Sequence, residues 1–587
     1  MSASLRIAQL GFAGLLGLTW WLGHHDIAGQ STASGDPPPF RLLDVTAAAG
    51  IDFRHEPFVV SPALQHIDGQ ISATGAGVSV VDVNADGHPD LYATTSRSGR
   101  PNALYLNQGD GSFSDVAATA GLADLNQKGV SASMGSVWAD IDGDGDRDAF
   151  IYGYGRSFLM LQEEGLTFRD VTAQAGLLTP RRNTNAAAWF DYDRDGLLDL
   201  YVAGYWRDAD DLWSTTDTRV MHGSFEFAED GGTNALYHNL GDGRFEDVTE
   251  LTGTASTRWT YAVTVADFDD DGWVDLYLAN DYGSEELLLN KGGERFEKLL
   301  GAGLEEDSKS GMCVTVGDVE NQGRLAVYVT NISEARFLFQ GNNLRLNYLE
   351  ETGLLLDVAE GSVANCGWAW GAQFADLDSD GWQDLFVANG MISADTERNY
   401  WYDMTKISGA LGDVFSDAAN WPPLEGRSLS GYERSRVLHN QGSHAIFREV
   451  GDAAGVHDRF DGRAVAVGDL FGDGTPDVVV ANQRGPLLIY RSEPQPERHW
   501  LLLDLVGAGT NTDAVGASVV VTAGEQIQRH VVAAGSGFSA QNDHRIHVGL
   551  GSTEVVDSVR VRWPSGVEQT LGPLDADRVH RIVEPGQ

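Results

Sequence analysis

Cysteine is scarce in this sequence, and basic residues are few for its length. The 587 residues include two cysteines, Cys313 and Cys366, and no CxxC pair, which excludes a thiolate zinc site and a disulfide-rich scaffold. A single bridge between the two thiols is left open by the sequence. Lysine and arginine number 40 against 85 aspartates and glutamates, so the chain offers no basic face for nucleic acid.

Familiar catalytic motifs are also missing. The sequence contains no GxSxG, no HExxH and no glycine-rich phosphate loop, the local patterns of several large enzyme classes. Their absence favours a binding or scaffolding module over an enzyme. A propeller enzyme gathers distant side chains at its mouth without a local motif, so a lyase or cyclase acting there is the alternative interpretation.

Long apolar runs are absent beyond the N-terminus. Residues 7–23 are almost uncharged and follow Arg6, and their length suits a signal-peptide core or a short membrane anchor. Both interpretations stay open for residues 1–28, because no clear A-x-A cleavage site follows them. Residues 29–39 form a linker rich in Pro, Gly and Ser. This segment predicts an exported protein that is secreted, periplasmic or held at the cell surface.

One cassette recurs along the chain. It joins a Gly/Ala-rich apolar run, an acidic loop, a run such as DLYVA, an NxLYxN run, a GDG turn and the pattern F-x-D-V-T-x-x-A-G-L. Four short apolar runs per repeat are typical of a propeller blade. We therefore predict an all-β fold, with a seven-bladed β-propeller over residues 40–495 and a small β-rich domain over residues 496–587. The seven acidic loops begin at Asp82, Asp140, Asp191, Asp267, Asp318, Asp376 and Asp469.

A lone fourth-strand motif precedes the first acidic loop. It spans residues 40–51 (FRLLDVTAAAGI), whereas the last repeat ends at residue 490 and lacks this element. We predict that residues 40–51 complete the last blade. Such pairing would close the ring and leave no exposed strand edge.

Four acidic loops have the complete form DxDxDGxxD. Carboxylates at positions 1, 3, 5 and 9 converge when the loop curls, and six to eight such oxygens in a forgiving geometry suit Ca²⁺. Position 12, where an EF-hand has its glutamate, is apolar in all four loops, which excludes that motif. The predicted ligands are Asp140, Asp142, Asp144 and Asp148; Asp191, Asp193, Asp195 and Asp199; Asp267, Asp269, Asp271 and Asp275; and Asp376, Asp378, Asp380 and Asp384.

Three loops depart from this form. The first has Asn84 in place of one carboxylate and is expected to bind, whereas the seventh has Phe471 at position 3 and is a weaker candidate. The fifth keeps Asp318 but has Gln322 and Ala326 at positions 5 and 9, so we expect a structural turn there. The candidate ligands of the first and seventh loops are Asp82, Asn84, Asp86 and Asp90, and Asp469, Asp473 and Asp477. Four to six Ca²⁺ sites are expected in total.

The acidic loops within these repeats resemble FG-GAP/VCBS repeats, the units of the integrin α-subunit propeller. Residues 511–517 (NTDAVGA), 535–538 (GSGF), 547–551 (HVGLG) and 561–566 (VRWPSG) look like an ASPIC/UnbV domain. The combination is similar to bacterial proteins related to cartilage acidic protein 1. The resemblance implies calcium binding and an extracellular or periplasmic role in adhesion or interaction. Relatives that occur beside enediyne biosynthesis enzymes leave a catalytic or accessory role open.

Two long insertions, residues 203–233 and 390–434, fall between second and third strands. The acidic loops join first and second strands, so the insertions are expected on the opposite face. Long loops on a rigid scaffold commonly carry binding function, and we predict a protein or glycan ligand there. Packing between blades is the alternative for the tryptophans. The candidates are Trp206, Trp213, Tyr400, Trp401 and Tyr402, expected to be exposed; Asp208, Asp210, Asp211, His222 and Asp403; and Arg181, Arg182, Arg258, Trp259, Trp368 and Trp370 between blades.

Overall fold

Strands dominate the chain, because short runs of Val, Leu, Tyr and Ala alternate with turns rich in Gly and Asp. The computed structural model describes residues 38–178, 183–224, 226–304, 309–335, 337–408 and 413–586. Within these residues, seven sheets of four antiparallel strands each follow one another along the first part of the chain, and the first of them gains a fifth, parallel strand from the C-terminal region. The predicted all-β class, built on four-stranded sheets of propeller type, is confirmed.

The seven sheets are numbered here in chain order of their acidic loops. Their strands, from first to fourth, are Val78–Val81, Asp90–Ala93, Ala103–Asn107 and Phe113–Asp115 in sheet 1; Ser131–Ala139, Asp148–Gly155, Phe158–Glu163 and Thr167–Asp170 in sheet 2; Thr184–Phe190, Asp199–Gly204, Ala235–Asn239 and Phe245–Asp247 in sheet 3; Thr260–Ala266, Asp275–Asn280, Glu286–Asn290 and Phe296–Lys298 in sheet 4; Cys313–Gly317, Ala326–Thr330, Asn343–Tyr348 and Leu354–Asp357 in sheet 5; Ala369–Ala375, Asp384–Asn389, Arg436–Asn440 and Phe447–Glu449 in sheet 6; and Asp461–Gly468, Asp477–Gln483, Leu487–Ser492 and Leu42–Asp44 in sheet 7.

The last sheet takes its fourth strand from the beginning of the ring. Strand Leu42–Asp44 pairs with strand Leu487–Ser492, with Leu42 opposite Ser492 and Asp44 opposite Tyr490. The first strands of consecutive sheets contact one another, and that of sheet 7 contacts that of sheet 1. The prediction that residues 40–51 complete the last sheet and close the ring is confirmed.

Helices are short and lie between strands. One-turn helices follow several fourth strands, and those at Ala117–Ala120 and Thr249–Thr252 end at Gly121 and Gly253, whose φ values are +82° and +74°. Glycine adopts this left-handed conformation at a helix C-terminus without steric cost. The other short elements are the helices Asp68–Ile71, Leu349–Thr352, Gly361–Ala364, Trp401–Ser408, Asp413–Ser416 and Gly451–Ala454, the 3₁₀ turns Gln65–Ile67 and Ala418–Asn420, and the hairpin Ser333–Glu334 with Leu338–Phe339.

The C-terminal sheets enclose a core of their own. Valine and leucine side chains from both main sheets pack around the buried indole of Trp563. These sheets and the ring belong to one compact unit, Pro39–Gln587. The strands are Ile546–Gly551, His499–Val506 and Arg578–Val583 in one sheet, Gln526–Val531, Ser518–Ala523, Ser558–Arg562 and Glu568–Leu571 in the second, and Val555–Val556 with Leu574–Asp575 in the third.

A segment of the C-terminal domain enters the centre of the ring. This axial segment, residues 534–541, touches the first strands of several sheets. The amide of Trp189 donates to the carbonyl of Ala534 at 3.0 Å, and strand Ala540–Gln541 pairs in parallel with Val78–Val81. The two domains are therefore joined by backbone hydrogen bonds of the kind that pair strands within a sheet.

Phe538 is the largest side chain of the axial segment. It is fully buried, with its ring centroid 5.1 Å from that of Trp370 and 5.6 Å from that of Tyr261. Gly535 allows the close approach, because a Cβ there would lie 2.4 Å from the carbonyl oxygen of Ala187 and its φ is +109°. The centre of the ring is therefore packed with protein.

The two insertions meet over the face opposite the acidic loops. The amide of Met221 donates to the carbonyl of Ser416 at 3.1 Å, and that of Leu424 donates to the carbonyl of His66 at 2.9 Å. The segment between strands Leu42–Asp44 and Val78–Val81 therefore joins the insertions. We call this group of three segments the cap.

The prediction of exposed aromatic residues in the insertions is wrong for three of five. Trp206, Tyr400 and Trp401 retain at most 4% of their surface, because they pack into one apolar core with the ring strands. Trp213 is half-buried, and Tyr402 is 68% exposed. Burial of large aromatic rings is the main contribution of the insertions to stability.

The thiols of Cys313 and Cys366 are buried and free, so no bridge joins them. Burial raises the pKa of the Cys313 thiol to about 12. None of the helices in the described ranges is long and apolar enough to cross a membrane. The predicted signal peptide or anchor and all but the end of the linker lie in residues 1–37, outside the described residues.

Replacing Phe538 by alanine should destabilise the protein by about 3–5 kcal/mol, because the change leaves a cavity between Trp370 and Tyr261. The denaturant midpoint of unfolding, followed by tryptophan fluorescence, measures the loss. Phe227→Ala is the control, since Phe227 is 71% exposed, and its effect should stay within about 0.5 kcal/mol. Equal midpoints for the two variants would show that the axial segment is not packed as described.

Candidate metal-binding loops

The seven acidic loops share one backbone shape. The carboxylate at position 1 accepts a hydrogen bond from the amide of the glycine at position 6, at 2.7–3.0 Å in every loop. That glycine has φ between +74° and +95°, and position 4 has φ between +52° and +79°. Two left-handed residues per loop make the tight curl, so the loop is shaped by its own hydrogen bonds.

The aspartate at position 9 ties each complete loop to its sheet. In sheet 4, Asp275 Oδ1 accepts from the amide of Asn290 at 2.7 Å, and Oδ2 accepts from the amide of Phe268 at 2.9 Å. The first bond reaches the third strand and the second reaches position 2 of the loop. The same pair of bonds occurs at Asp90, Asp148, Asp199, Asp275, Asp384 and Asp477.

The asparagine that ends the third strand joins neighbouring sheets. Asn290 Nδ2 donates to the carbonyl of Tyr192, at position 2 of the preceding loop, at 2.8 Å. Each bond therefore connects one sheet to the loop of the sheet before it. The equivalent donors are Asn107, Asn239, Asn290, Asn347 and Asn440, and their acceptors are the carbonyls of Leu470, Ile141, Tyr192, Phe268 and Val319.

Several carboxylate oxygens inside the described loops have no hydrogen-bond donor. Within the described residues, Asp191 Oδ1, Asp267 Oδ1 and Asp378 Oδ1 are buried and accept no hydrogen bond. Carboxylate atoms of Asp191, Asp193 and Asp195 lie within 4.8 Å of one another. Burial, followed by the charge of Asp199, raises the pKa of Asp191 to about 7.

Buried carboxylate oxygens without a hydrogen-bond donor are suitable ligands for a hard divalent cation. A buried carboxylate oxygen without a donor is costly, and several in one place repel one another. A cation bound between them would remove both costs, and all-carboxylate and carbonyl oxygen is the donor set that Ca²⁺ prefers. The same convergence occurs at Asp140, Asp142 and Asp148, and at Asp267, Asp269 and Asp271.

The first loop brings its predicted ligands together at the surface. Asn84 Nδ2 donates to Asp86 Oδ2 at 2.9 Å, and the amide of Asp86 donates to Asp82 Oδ1 at 3.1 Å. Asn84 and Asp86 are exposed. This loop therefore has the shared shape with a more open setting.

In the fifth and seventh loops, other groups of the protein bond to the loop carboxylates. Asp318 accepts from the amides of Gln322, Gly323 and Arg529, at 3.2, 2.7 and 3.1 Å. In the seventh loop, Arg491 Nη2 lies 2.8 Å from Asp473 Oδ2. The expectation that the fifth loop is structural agrees with this bonding of Asp318.

The C-terminal domain covers the acidic loops with arginines. Arg562 Nη1 lies 2.7 Å from Asp267 Oδ2, and Arg498 Nη1 lies 2.6 Å from Asp378 Oδ2. In the reverse sense, Asp513 of this domain accepts from the amide of Asp140 at 3.0 Å. Sequence reasoning missed these contacts, because nothing local in the sequence pairs residues so far apart.

Two histidines next to the loops were also missed. His238 and His439 lie near the ends of the third strands of sheets 3 and 6. The Nδ1 atom of His238 is 3.0 Å from Asp199 Oδ1, and that of His439 is 2.9 Å from Asp384 Oδ1. A sequence signal existed. The runs LYHN and VLHN carry histidine where the first and fourth repeats read LYLN and LLLN.

The residues predicted at the ring mouth are engaged in structural contacts. His222 is buried against the rings of Tyr282 and Phe415, and Asp403 pairs with Arg427 and Lys406. The remaining acidic candidates of the insertion, Asp208, Asp210 and Asp211, are half-buried.

The between-blade candidates divide in the same way. Arg258 lies 3.0 Å from Glu229 and 3.4 Å from Glu286. Trp259, Trp368 and Trp370 retain at most 7% of their surface, so packing between sheets describes them. Arg181 and Arg182 lie outside the described residues.

Two protein families match the chain. The FG-GAP-like repeat matches residues 82–151, 140–202, 225–278 and 267–329, and the ASPIC and UnbV family matches residues 507–587. Cartilage acidic protein 1 of Mus musculus is 28% identical over 284 residues, which are 47% of this chain and 39% of that protein. The Homo sapiens protein is 30% identical over 232 residues, 38% and 31% respectively. The chain thus spans less than half the length of these relatives.

Two solved structures align with this chain at low identity and low TM-score. A lectin of Agrocybe aegerita, solved for its recognition of non-reducing terminal N-acetylglucosamine, has 14% identity and a TM-score of 0.35, with 71% of this chain and 86% of the lectin covered. BBS1N in complex with ARL6DN has 9% identity and a TM-score of 0.40, with 77% and 97% covered.

Replacing Asn290 by alanine should cost about 1–3 kcal/mol, because the carbonyls of Tyr192 and Val274 lose a buried donor. The loss should be the same with calcium and with chelator, because the bond joins the Asn290 side chain to a backbone carbonyl and involves no predicted metal ligand. Urea unfolding measures it. Gln108→Ala is the control at an exposed position, where we expect a change below about 0.5 kcal/mol. A loss confined to the calcium-loaded protein would contradict this role.

Proposed function

From the membership of this chain among FG-GAP-like repeat proteins with a C-terminal ASPIC/UnbV domain, we propose that it is an exported calcium-binding β-propeller. We propose further that it acts as an interaction, adhesion or scaffolding module. The observation that carries the calcium assignment is the set of buried loop oxygens that accept no hydrogen bond within the described residues.

Calcium suits the loops better than magnesium does. The loop backbone is shaped by internal hydrogen bonds, and ligand atoms of three carboxylates in each of the second, third and fourth loops lie within 4.8 Å of one another. Ca²⁺ accepts six to eight oxygens in variable geometry, whereas Mg²⁺ requires a near-ideal octahedron and gives up its waters reluctantly. Asp142 and Asp269, at position 3 of the second and fourth loops, would each supply a ligand to one ion.

The cap supports an interaction role on the face opposite the loops. Tyr402 and Val414 are 68% and 56% exposed, on the helices Trp401–Ser408 and Asp413–Ser416. Their helices rest on a buried aromatic base, so the exposed side chains are held on a rigid support. Exposed apolar side chains on a fixed scaffold are typical of a recognition surface. The ligand is a protein or a glycan of the compartment to which the chain is exported.

Chelation should lower the melting temperature by roughly 10 °C or more. Each site contributes about 2.7 kcal/mol when calcium exceeds its dissociation constant a hundredfold, and four or more sites bind only the native protein. Differential scanning calorimetry in EGTA, then with added Ca²⁺ or Mg²⁺, measures the loss and its recovery. Calcium should restore the transition and magnesium should do so poorly. A melting curve unchanged by EGTA would contradict the proposal that the loops bind calcium.

Matched variants separate metal binding from loop structure. Asp142→Ala and Asp269→Ala should each remove part of the calcium response. Asp318→Ala, which the sequence alone predicts to be nearly silent, should instead lower stability equally with and without calcium, because Asp318 holds three backbone amides. Loss of calcium response in Asp318→Ala would place a metal in the fifth loop.

The cap surface can be tested with exposed residues alone. The double variant Tyr402→Ala, Val414→Ser should lose binding to glycan or extracellular-protein arrays by at least about tenfold, the scale of a lost anchor residue, while calcium-dependent melting is unchanged. Leu251→Ser is the matched control, since Leu251 is 80% exposed on the helix Thr249–Thr252 outside the cap. Equal array binding by both variants and the parent protein would assign recognition to another surface.

Deleting residues 390–434 is a poor test of binding. The sequence predicts a dispensable loop, whereas Tyr400, Trp401, Phe415 and Trp421 belong to the same apolar core as the ring strands. We expect the deletion to destabilise the ring strongly, since each buried aromatic contributes about 3–5 kcal/mol.

A further inference from the structure

The residue that precedes the asparagine near the end of the third strand distinguishes the loops from one another; Gln162 and Ser492 stand in place of that asparagine in sheets 2 and 7. In sheets 3, 6 and 7 its side chain contacts an aspartate of the loop in the same sheet. Leucine occupies this position in four sheets, histidine in two, and arginine in the seventh. In chain order the residues are Leu106, Leu161, His238, Leu289, Leu346, His439 and Arg491.

His238 is oriented by one loop carboxylate toward the others. Its Nδ1 lies 3.0 Å from Asp199 Oδ1, and a carboxylate only accepts, so Nδ1 carries the proton of the neutral ring. The lone pair is then on Nε2, which lies 3.9 Å from Asp195 Oδ2. A carboxylate that holds one imidazole nitrogen while the other faces a cluster of ligand atoms is the usual arrangement of a metal-binding histidine.

A second observation at this loop points to a ligand. Asp191 is 5% exposed, and its Oδ1 accepts no hydrogen bond within the described residues. Its other oxygen is held by the amide of Gly196 at 3.0 Å. One oxygen is therefore fixed by the backbone and the other is directed, unsatisfied, into the space shared with Asp193 and Asp195.

The loop of sheet 6 repeats the arrangement. His439 Nδ1 lies 2.9 Å from Asp384 Oδ1, and ligand atoms of Asp378, Asp380 and His439 lie within 4.8 Å of one another. Asp378 is fully buried, and its Oδ1 accepts no hydrogen bond in the described part of the chain. Arg498 pairs with its Oδ2 at 2.6 Å, so a cation here would share this carboxylate with the C-terminal domain.

We propose that the loops of sheets 3 and 6 are mixed nitrogen–oxygen sites that take a divalent transition-metal ion in preference to Ca²⁺. His238 and His439 supply the nitrogen. The loops of sheets 2 and 4, which have Leu161 and Leu289 in the same place, are all-oxygen sites selective for Ca²⁺, and the loops of sheets 3 and 6 take Ca²⁺ when no transition-metal ion is present. Imidazole favours ions of the Mn²⁺ to Zn²⁺ series, whereas Ca²⁺ prefers oxygen donors alone. This inference rests on the proposed function, because it divides the metal loops into two chemical classes.

Cobalt in excess calcium is the direct probe. The full chain, without a histidine tag, is dialysed against Co²⁺ with Ca²⁺ in large excess, and bound Co²⁺ is measured by elemental analysis and by visible ligand-field absorption. We expect two Co²⁺ per chain. His238→Leu and His439→Leu should each lose one, with affinity at that loop falling at least about tenfold. The double variant should lose both, while its Ca²⁺-dependent melting persists.

A gain of binding gives an independent test. Leu289→His places an imidazole at the same position of sheet 4, beside a complete acidic loop, and should add a Co²⁺. If His238→Leu fails to fold, His238→Gln keeps a polar side chain and should still lose the Co²⁺.

Two outcomes would overturn the assignment. The first is unchanged Co²⁺ stoichiometry and affinity in the double variant. The second is tighter Ca²⁺ binding by wild type than by the histidine variants with no Co²⁺ preference, which would make the histidines counter-ions only. Failure of the calcium proposal is distinguishable, because Ca²⁺ would then leave the wild-type melting curve unchanged while two Co²⁺ still bind.

Discussion

A buried aspartate at the ninth loop position connects three pieces of each complete repeat through two hydrogen bonds. In sheet 4 this is Asp275, which begins the second strand and holds both the loop and the third strand. The neighbouring Asn290 then reaches the preceding loop. The same residues therefore shape the candidate metal site, align the strands and join the sheets. A cation bound by such a loop, as proposed, would be coupled through the ninth-position aspartate to the strands that this aspartate aligns.

Much of this architecture is predictable because its determinants are local. In sheet 4 the loop, the two strands that flank it and the third-strand asparagine all lie within residues 260–290, and the same order of elements is repeated in the sequence. Even ring closure could be predicted, because the unpaired motif at residues 40–51 and the missing element after residue 490 are complementary. Local hydrogen bonding leaves a periodic trace in a sequence.

The features that sequence reasoning missed depend on distant partners. Residues 534–541 look like an ordinary glycine-rich turn in the sequence. Strand Ala540–Gln541 nevertheless pairs with Val78–Val81, the first strand of sheet 1, which lies more than 450 positions earlier in the chain. Trp401 looks exposed because it sits in a long polar insertion, whereas its burial depends on Trp368 and Phe337. His238 was visible in the sequence, but its role depends on a carboxylate 39 positions away.

The closing strand also constrains when the ring can form. Leu42 pairs with Ser492, 450 positions later (492 minus 42), and a chain made at about 5–20 residues per second lacks that partner for roughly 20–90 seconds. Throughout that interval strand Leu42–Asp44 has no partner strand, and an unpaired strand edge is a template for aggregation. The nascent chain therefore passes through a long vulnerable stage. Holding it unfolded until its last third has been made would protect it, and a protein that folds only after transport to another compartment meets this condition.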